Sequence, residues 1–260
     1  MNSIDDFDID NVNTFITPKR VILLIISFVL MIVFFMMIGI NNNGERTVVQ
    51  WPNGTTFVKF KPGIYFPLFG RTEAYNDVIT TDLNKDNASV RYQDGGVGHI
   101  EGVVRANLPN DEAQMLKLHR AVRSAEGLRS KLLNPEIKQA LNLTAGLMTS
   151  EEAYAVKRNQ YKVWGEDQLK NGPYTTKLVE REITIEGKKV MKEVPAIAYE
   201  EDGMTPLHTN SPFTEYGMEV SGFQITEWGF EPATQDQIST KREAEMAVIT
   251  AKANTTRASE

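Results

Sequence analysis

Residues 21–40 read VILLIISFVLMIVFFMMIGI, a stretch without a single charged residue. Ser27 and Gly39 are its only members outside the strongly apolar types. A helix rises about 1.5 Å per residue, so this one would be about 30 Å long and would match the hydrocarbon core of a bilayer. A lone segment in lipid must satisfy its backbone hydrogen bonds internally, which a helix does. The stretch predicts one transmembrane helix.

Two other interpretations of this stretch fit less well. A cleaved signal peptide would have a shorter apolar run and an A-x-A site, whereas here Asp5, Asp6, Asp8 and Asp10 precede the run and INNNGE follows it. A buried helix of a soluble protein would keep a polar stripe with a 3.6-residue period, which this segment lacks. We therefore expect the membrane anchor to include Val21, Leu24, Phe28, Met31, Phe35 and Ile40.

Basic residues beside the helix predict its orientation. Two basic residues, Lys19 and Arg20, precede it, whereas Arg46 is the only basic residue among the first fifteen after it. Positive residues favour the cytoplasmic side of a membrane. The sequence thus predicts a single-pass protein of the inner membrane, with residues 1–20 as a cytoplasmic tail and the main domain in the periplasm.

The composition disfavours most kinds of chemical site. The chain has no cysteine, which excludes disulfides, thiolate metal sites and thiol nucleophiles. Its histidines, His99, His119 and His208, have no metal-ligand spacing, and we expect His208 to lie on the surface. Glu151 and Glu152 are more typical of a helix cap than of an acid–base pair. A net charge of -6 without a basic stripe disfavours nucleic acid. We expect no catalytic residue, metal or cofactor.

Two β-rich blocks follow the anchor. The stretch RTVVQWPNGTTFVKF at 46–60 predicts a hairpin with a type I′ turn at Asn53 and Gly54. A third strand is predicted at 73–82, and two more around the Asp94-Gly95-Gly96 turn within 89–108.

An apolar, aromatic cluster follows the first hairpin. Burial in a core would explain it, and so would contact with the membrane interface, where aromatic rings are favoured. The cluster comprises Ile64, Tyr65, Phe66, Leu68 and Phe69.

Three helices are predicted next. Asn110 can cap the first, and Asn134 followed by Pro135 can cap the second. Thr149 and Glu152 form a capping-box pattern for a third helix that runs to about Gly172.

The last third of the chain combines β-strands with a terminal helix. Residues 175–201 predict a charged, half-exposed hairpin that turns at Glu186-Gly187-Lys188, and 218–230 predict a further strand. Residues 232–260 predict a helix with alanines along one face, in which Lys241 can pair with Glu245. We expect oligomerisation through Lys241, Arg242, Ala244, Glu245, Ala247, Ala251 and Ala258.

The order of these parts resembles the SPFH, or band-7, superfamily of stomatins, prohibitins, flotillins and the HflK and HflC proteins. Two stretches carry the resemblance, GERTVVQWPNGTTFVKFKPGIYFPLF at 44–69 and EYGMEVSGFQITEWGFEPATQDQISTKREAEMAV at 215–248. In style the chain is most similar to bacterial HflC- or HflK-like and phage-encoded prohibitin-like members. The hairpin at 175–201 looks like an insertion into the family pattern.

The resemblance implies an α+β fold with two small β-rich subdomains and packed helices between the transmembrane helix and the start of a long terminal helix. The first, SPFH1-like, would span 41–88, and the second, SPFH2-like, 89–231, before the oligomerising helix at 232–260. It implies a non-enzymatic scaffold that forms large homo- or hetero-oligomeric rings or cages around a patch of bilayer and modulates membrane proteins, among them AAA proteases. The alternative is an anchored ectodomain that binds a specific protein or ligand through the 175–201 hairpin.

Overall fold

The computed structural model describes residues 18–86, 88–185 and 188–259 and has the predicted α+β class, with an apolar helix first and a long helix last. The predicted tail before residue 18 and the predicted turn at Glu186 and Gly187 lie outside the described residues. The chain divides into two compact units, one ending at Ala74 and the other beginning at Tyr75. The subdomain limits at 41–88 and 89–231 remain predictions.

The described part of the first unit contains one helix and five strands, the last of which continues past Ala74. Strands β1 and β4 pair antiparallel, and β3, β2 and β5 form a three-stranded sheet in that order. Val48 and Val49 are fully buried in it. The elements are α1 (Pro18–Met36), β1 (Gly39–Asn41), β2 (Glu45–Gln50), β3 (Thr56–Lys59), β4 (Gly63–Tyr65) and β5 (Arg71–Asn76).

The apolar helix ends at Met36, four residues before the predicted end. The amides of Met37 and Ile38 close it by donating to the carbonyls of Phe34 and Phe35, at 3.1 and 3.2 Å. Ile40 then lies in β1, opposite Ile64 of β4. The predicted helical conformation of residue 40 is therefore wrong, because the chain leaves the helix to pair as a strand.

The first predicted hairpin is present, but its type I′ turn is wrong. Trp51 and Thr55 close a five-residue loop with a 2.9 Å backbone hydrogen bond, and the amide of Gly54 donates to the carbonyl of Trp51 at 2.9 Å. Gly54 has φ 87°, whereas Asn53 is not among the described residues with positive φ. Pro52 fixes its own φ near -65°, so it starts a turn of the type I class instead.

The second unit is built on a four-stranded antiparallel sheet. Its order is β11-β8-β6, with β7 also paired to β8. The strand predicted at 73–82 is two strands, since β5 pairs with β2 and β6 pairs with β8. The strands are β6 (Val78–Leu83), β7 (Ser89–Arg91), β8 (Val97–Asn107), β9 (Thr176–Ile185), β10 (Lys188–Ile197) and β11 (Glu219–Phe230).

Helices cover this sheet with their apolar sides. Tyr161 is fully buried, and its hydroxyl donates to the carbonyl of Leu141 at 2.8 Å. Two π-helical segments, Arg129–Leu133 and Glu152–Val156, lie at helix junctions. The helices are α2 (Glu112–Val122), α3 (Ala125–Leu128), α4 (Asn134–Ala145), α5 (Arg158–Asn171), α6 (Pro212–Glu215) and α7 (Pro232–Ser259).

Two of the predicted helix caps differ from the structure. Asp111, not Asn110, caps α2, because its carboxylate accepts from the amide of Gln114 at 3.0 Å. Asn134 is not a cap, since Leu133 before it is already helical and the chain enters α4 directly from the first π-helical segment. The predicted Thr149–Glu152 capping box is present, with hydrogen bonds of 3.0 and 3.3 Å in the two directions.

The predicted hairpin at 175–201 is confirmed as a two-stranded ribbon. Strands β9 and β10 pair antiparallel over their whole length, from Thr176 opposite Ile197 to Ile185 opposite Lys188. Val194 and Ile197 are buried at the base of the ribbon, whereas Leu178 and Met191 are exposed. Val194 and Ile197 lie on opposite faces of the ribbon, so each face buries a side chain near the base.

Candidate functional site

Helix α1 has the properties of a membrane anchor. None of its residues is buried by the rest of the described chain, and its mean hydropathy is 2.5. By length and composition it can cross a membrane. The predicted anchor residues Val21, Leu24, Phe28, Met31 and Phe35 lie exposed on this helix, and Ile40 lies exposed in β1.

The apolar cluster after the first hairpin is largely exposed. Ile64 and Phe69 are 61% and 64% exposed, Phe66 and Leu68 are also exposed, and Tyr65 is half-buried. Burial in a core of this chain is therefore the wrong explanation for four of these side chains. Their exposure is compatible with the other alternative, contact with the membrane interface, which stays a prediction.

The backbone of this cluster is strained. Leu68 and Phe69 have φ of 49° and 62°, a left-handed conformation that costs a non-glycine residue about 1–2 kcal/mol. The indole nitrogen of Trp51 donates to the carbonyl of Phe66 at 3.2 Å and fixes the start of the loop. Such backbone outliers cluster at functional sites, which makes this turn a candidate contact surface. We name Ile40, Ile64, Phe66, Leu68 and Phe69 the apolar tip.

A second group of residues joins several elements at the π-helical segment Glu152–Val156. The Glu152 carboxylate accepts from the amide of Thr149, binds Lys157 at 2.8 Å, and accepts a hydrogen bond from Arg181 of β9. Burial alone would raise the pKa of Glu152, but the hydrogen bonds from Lys157, Thr149 and Arg181 outweigh it and hold that pKa below its usual range. The carboxylate therefore ties the hairpin to the helical layer as an ionised group.

Within the described part of the chain, tertiary contacts hold helix α7 over its first turns. The Thr234 hydroxyl accepts from the amide of Val97 at 3.0 Å, Lys241 binds the Glu151 carboxylate, and the Arg242 guanidinium lies 4.7 Å above the Tyr154 ring. The predicted Lys241–Glu245 pair is thus replaced by a tertiary ion pair.

The remaining predicted oligomerisation residues lie beyond this docked part. Every residue from Glu243 to Arg257 is exposed, including the large apolar Met246, Val248 and Ile249. We name residues 243–257 the free half of α7. It contains Ala244, Glu245, Ala247 and Ala251, and Ala258 follows it within the same helix.

His208 is not the surface residue that the sequence predicts. Its side chain is only 19% exposed, and its Nε2 lies 3.1 Å from the Asp167 carboxylate, which also accepts from the Tyr174 hydroxyl at 2.5 Å. Burial would raise the pKa of Asp167, but hydrogen bonds from Tyr174, Asn171 and His208 hold it below its usual range. Asp167 and Tyr174 are only 7 residues apart, but His208 is 41 residues from Asp167, so local sequence gives no signal that places His208 in this cluster. It fastens the loop after β10 to α5.

The remaining histidines have structural contacts. His119 lies 2.7 Å from the Tyr75 hydroxyl, and His99 lies 3.9 Å from the Glu101 carboxylate. Across residues 18–86, 88–185 and 188–259, no group of three or more His, Asp and Glu side chains could hold a metal ion.

Comparison of the sequence with known protein families identifies the family of this chain. The family model for the SPFH domain / Band 7 family matches residues 40–258. No curated protein matches the sequence. Members of this family are in general membrane-associated scaffold proteins without catalytic activity. Since the match covers well over half of the chain, starting just after the apolar helix, this protein belongs to the SPFH domain / Band 7 family.

Proposed function

We propose that this protein is a membrane-anchored scaffold that assembles with further copies into a ring or cage around a patch of bilayer. The observation that carries the proposal is α1, an apolar helix directly before the SPFH domain with no residue buried by the described part of the chain. A fully exposed apolar helix is unstable in water and stable in lipid, which makes the bilayer its natural environment.

The apolar tip is the second contact with lipid in this proposal. Leaving a large apolar side chain in water instead of burying it costs about 1.5–3 kcal/mol, and four such side chains are exposed within six residues, those of Ile64, Phe66, Leu68 and Phe69. The tip residues follow the end of α1 closely in the sequence. The membrane interface is therefore within their reach. With Lys19 and Arg20 on the cytoplasmic side, the tip and the main domain lie at the periplasmic face of the inner membrane.

The free half of α7 is the element that joins neighbouring copies. Its exposed Met246, Val248 and Ile249, with Ala247 between the first two, are a surface that a second helix or sheet can cover. One such contact between two chains is weak. In a closed ring every copy makes this contact, so the assembly as a whole is held together much more strongly. Assembly with identical chains or with a paralogue follows the same logic.

The activity of the assembly is to enclose and control other membrane proteins. The family resemblance points to an AAA membrane protease as the client. No cofactor is required, because the proposed function consists of anchoring in the membrane, assembly and the enclosure of other membrane proteins.

Electron microscopy of the full chain, extracted from native membranes with a mild detergent, tests this proposal. We expect large ring- or cage-shaped particles, and membrane fractions that retain the protein after a carbonate wash. The absence of native cysteine allows a topology test on a Ser221→Cys variant, which a membrane-impermeant maleimide should label from the periplasmic side. A monomeric particle, or release by carbonate, would overturn the proposal.

A further inference from the structure

Three asparagines of this chain are followed directly by glycine, at Asn43-Gly44, Asn53-Gly54 and Asn171-Gly172. In such a dipeptide the main-chain nitrogen of the glycine can attack the side-chain amide carbon of the asparagine, because glycine has no Cβ to block the approach. The asparagine is then converted to aspartate or isoaspartate without an enzyme. In a folded protein, the rate of this reaction depends on how freely the two reacting groups move. The structure gives the three sites very different freedom.

The reacting groups of Asn43-Gly44 are not held by the fold. Both residues are exposed in the turn that joins β1 to β2, and Gly44 has φ 80°. Within the part of the chain that the structure describes, neither the Asn43 side chain nor the Gly44 amide has a hydrogen-bond partner. A Cβ on Gly44 would meet no atom within 4 Å, so the space around the turn is open. Solvent and the attacking nitrogen therefore both reach the Asn43 side chain.

The ends of this turn, in contrast, are fixed by Asn41. Its side chain is buried, and its amide nitrogen donates to the carbonyls of Glu45 and Lys61, both at 3.1 Å. Its amide oxygen accepts from the hydroxyl of Thr47 at 2.6 Å. The fold thus holds the turn in place at both ends and leaves only its centre exposed. The protein does not have to unfold to expose this dipeptide.

Asn53-Gly54 is also exposed, but hydrogen bonds hold both of its reacting groups. The side-chain oxygen of Asn53 accepts from the amide of Thr55 at 2.9 Å. The amide of Gly54 donates to the carbonyl of Trp51, also at 2.9 Å. Both bonds must open before the nitrogen can reach the side-chain carbon. Two hydrogen bonds of ordinary strength slow such a step by about ten-fold or more.

Asn171-Gly172 is both hydrogen-bonded and covered. The side-chain nitrogen of Asn171 donates to the Asp167 carboxylate at 2.7 Å, and the amide of Gly172 donates to the carbonyl of Gln168 at 2.9 Å. Gly172 is buried, and a Cβ on it would lie 2.1 Å from the carbonyl oxygen of Thr209. Ring formation here would displace the end of α5 from the neighbouring loop. This site is therefore the most protected of the three.

We propose that Asn43-Gly44 is a site of spontaneous deamidation in the folded protein, with water as the co-reactant. A bond forms between the Gly44 nitrogen and Cγ of Asn43. The bond from Cγ to Nδ2 breaks, and Nδ2 leaves as ammonia with the proton of the Gly44 amide. Water then adds to one of the two carbonyls of the cyclic imide and opens it to aspartate or isoaspartate.

The modification changes the connection between the anchor and the first unit. Asn43 lies between α1, which ends at Met36, and the three-stranded sheet that begins with β2. Either product places a new carboxylate beside that of Glu45, and isoaspartate also lengthens the main chain of the turn by a methylene group. The charge and the length of this connection therefore change as the protein ages.

Peptide mapping of the full chain in mild detergent tests this inference. After incubation at neutral pH and digestion in acid, mass spectrometry measures the fraction of acid in place of amide at each of the three asparagines. We expect this fraction to grow about ten-fold or more faster at Asn43 than at Asn53, and slowest at Asn171. An isoaspartate-specific methyltransferase with labelled S-adenosylmethionine detects the isoaspartate product in the same peptides.

The same chain unfolded in urea separates the fold from the local sequence. Because all three sites are Asn-Gly dipeptides, we expect their rates to become similar once the hydrogen bonds at Asn53 and Asn171 are lost. A folded chain in which Asn43 reacts no faster than Asn53 would overturn the proposal. An unchanged ranking in urea would do so too, because neighbouring residues and not the fold would then set the rates.

Two glycine variants supply a matched control. Gly44→Ala adds a Cβ beside the attacking nitrogen and should slow the reaction at Asn43 while the rate at Asn53 stays the same. Gly54→Ala introduces the same kind of strain, since Gly54 has φ 87° and open space around it, and should leave the rate at Asn43 unchanged. Equal rates at Asn43 in the wild type and in Gly44→Ala would contradict attack by the Gly44 nitrogen.

Discussion

The ammonium group of Lys241, in the docked part of α7, binds the carboxylate of Glu151 at the start of the π-helical segment. The next residue, Glu152, binds Lys157 and Arg181. Two successive carboxylates therefore fasten the long helix and the β9–β10 hairpin to one short segment of the helical layer. Since α7 and the hairpin are both bound to this segment, the junction sets their mutual geometry.

The first prediction concerns the charge of Glu152. A Glu152→Gln variant keeps the size of the side chain but loses the charge-assisted hydrogen bonds to Lys157 and Arg181. A hydrogen bond to a charged group contributes about 1.5–3 kcal/mol and a neutral one about 0.5–1.5, and the Gln oxygen still accepts, so we expect a loss of about 1–3 kcal/mol in the free energy of unfolding. Thermal unfolding of the full chain in micelles measures this loss, and hydrogen exchange should become faster in β9 and β10.

An exposed ion pair is the control for this variant. Glu166 and Lys170 lie 2.7 Å apart, one helical turn from each other, and both side chains are substantially exposed. Glu166→Gln should change the unfolding free energy by less than about 0.5 kcal/mol. Equal effects of the two variants would contradict the role of Glu152 as a junction.

The second prediction is a pH dependence of stability. Glu152 and Asp167 have pKa values held below their usual range in the folded protein. A lowered folded pKa stabilises the fold above the unfolded pKa of about 4, and this contribution is lost as pH falls through the folded pKa. Burial raises the pKa of Glu136, which acts in the opposite direction. We expect the unfolding temperature to fall below about pH 4.

A variant isolates this effect from the other carboxyl groups. The asparagine of the Asp167→Asn variant cannot ionise, so the variant should be less stable than the wild type at pH 7. Its unfolding temperature should also fall less than that of the wild type when the pH is lowered. The difference between the two unfolding temperatures, measured at pH 7, 5 and 3.5, reports Asp167 alone. A constant difference across this range would show that the lowered pKa has no effect on stability.

The third prediction uses two glycines in paired strands. A Cβ atom on Gly102 of β8 would lie 2.1 Å from the carbonyl oxygen of Gln224 in β11, whereas a Cβ on Gly222 of β11 meets no atom within 4 Å. Gly102→Ala should therefore separate the two strands and cost about 1–3 kcal/mol or more. Gly222→Ala should be neutral or slightly stabilising. Thermal unfolding compares the two variants directly.

Local patterns explain why much of this fold could be predicted. The Thr149–Glu152 capping box and the β9–β10 hairpin depend on residues close in sequence, and the structure contains both. The end of α1 could not be predicted, because residues 37–40 are as apolar as the helix before them and hydropathy does not distinguish a helix from a strand. The break between β5 and β6 was hidden for a similar reason, since one continuous β-type pattern serves two different sheets.

The contacts that define the candidate surfaces depend on long sequence separations. Lys241 and Glu151 are 90 residues apart, and His208 and Asp167 are 41 apart. No periodicity in the sequence connects such pairs, so the local Lys241–Glu245 alternative was the natural but wrong expectation. The left-handed backbone of Leu68 and Phe69 was equally hidden, because neither residue type favours that conformation.

The final prediction concerns the strain at the apolar tip. Glycine adopts positive φ without strain, so a Leu68→Gly/Phe69→Gly double variant should unfold at the same or a higher temperature in detergent. It also loses two exposed apolar side chains and should therefore bind the interface less well. If the strain serves lipid contact, stability and membrane contact change in opposite directions.

Fluorescence quenching by brominated lipid measures this contact. Trp51 lies beside the tip, since its indole donates to the carbonyl of Phe66 at 3.2 Å, and a Trp51→Phe variant defines its share of the signal. We expect quenching of Trp51 in vesicles to decrease in the double variant and to remain in Met204→Gly, which removes an exposed apolar side chain from the second unit. Unchanged quenching in the double variant would mean that Leu68 and Phe69 do not enter the interface, and their strain would then have to serve a contact with protein.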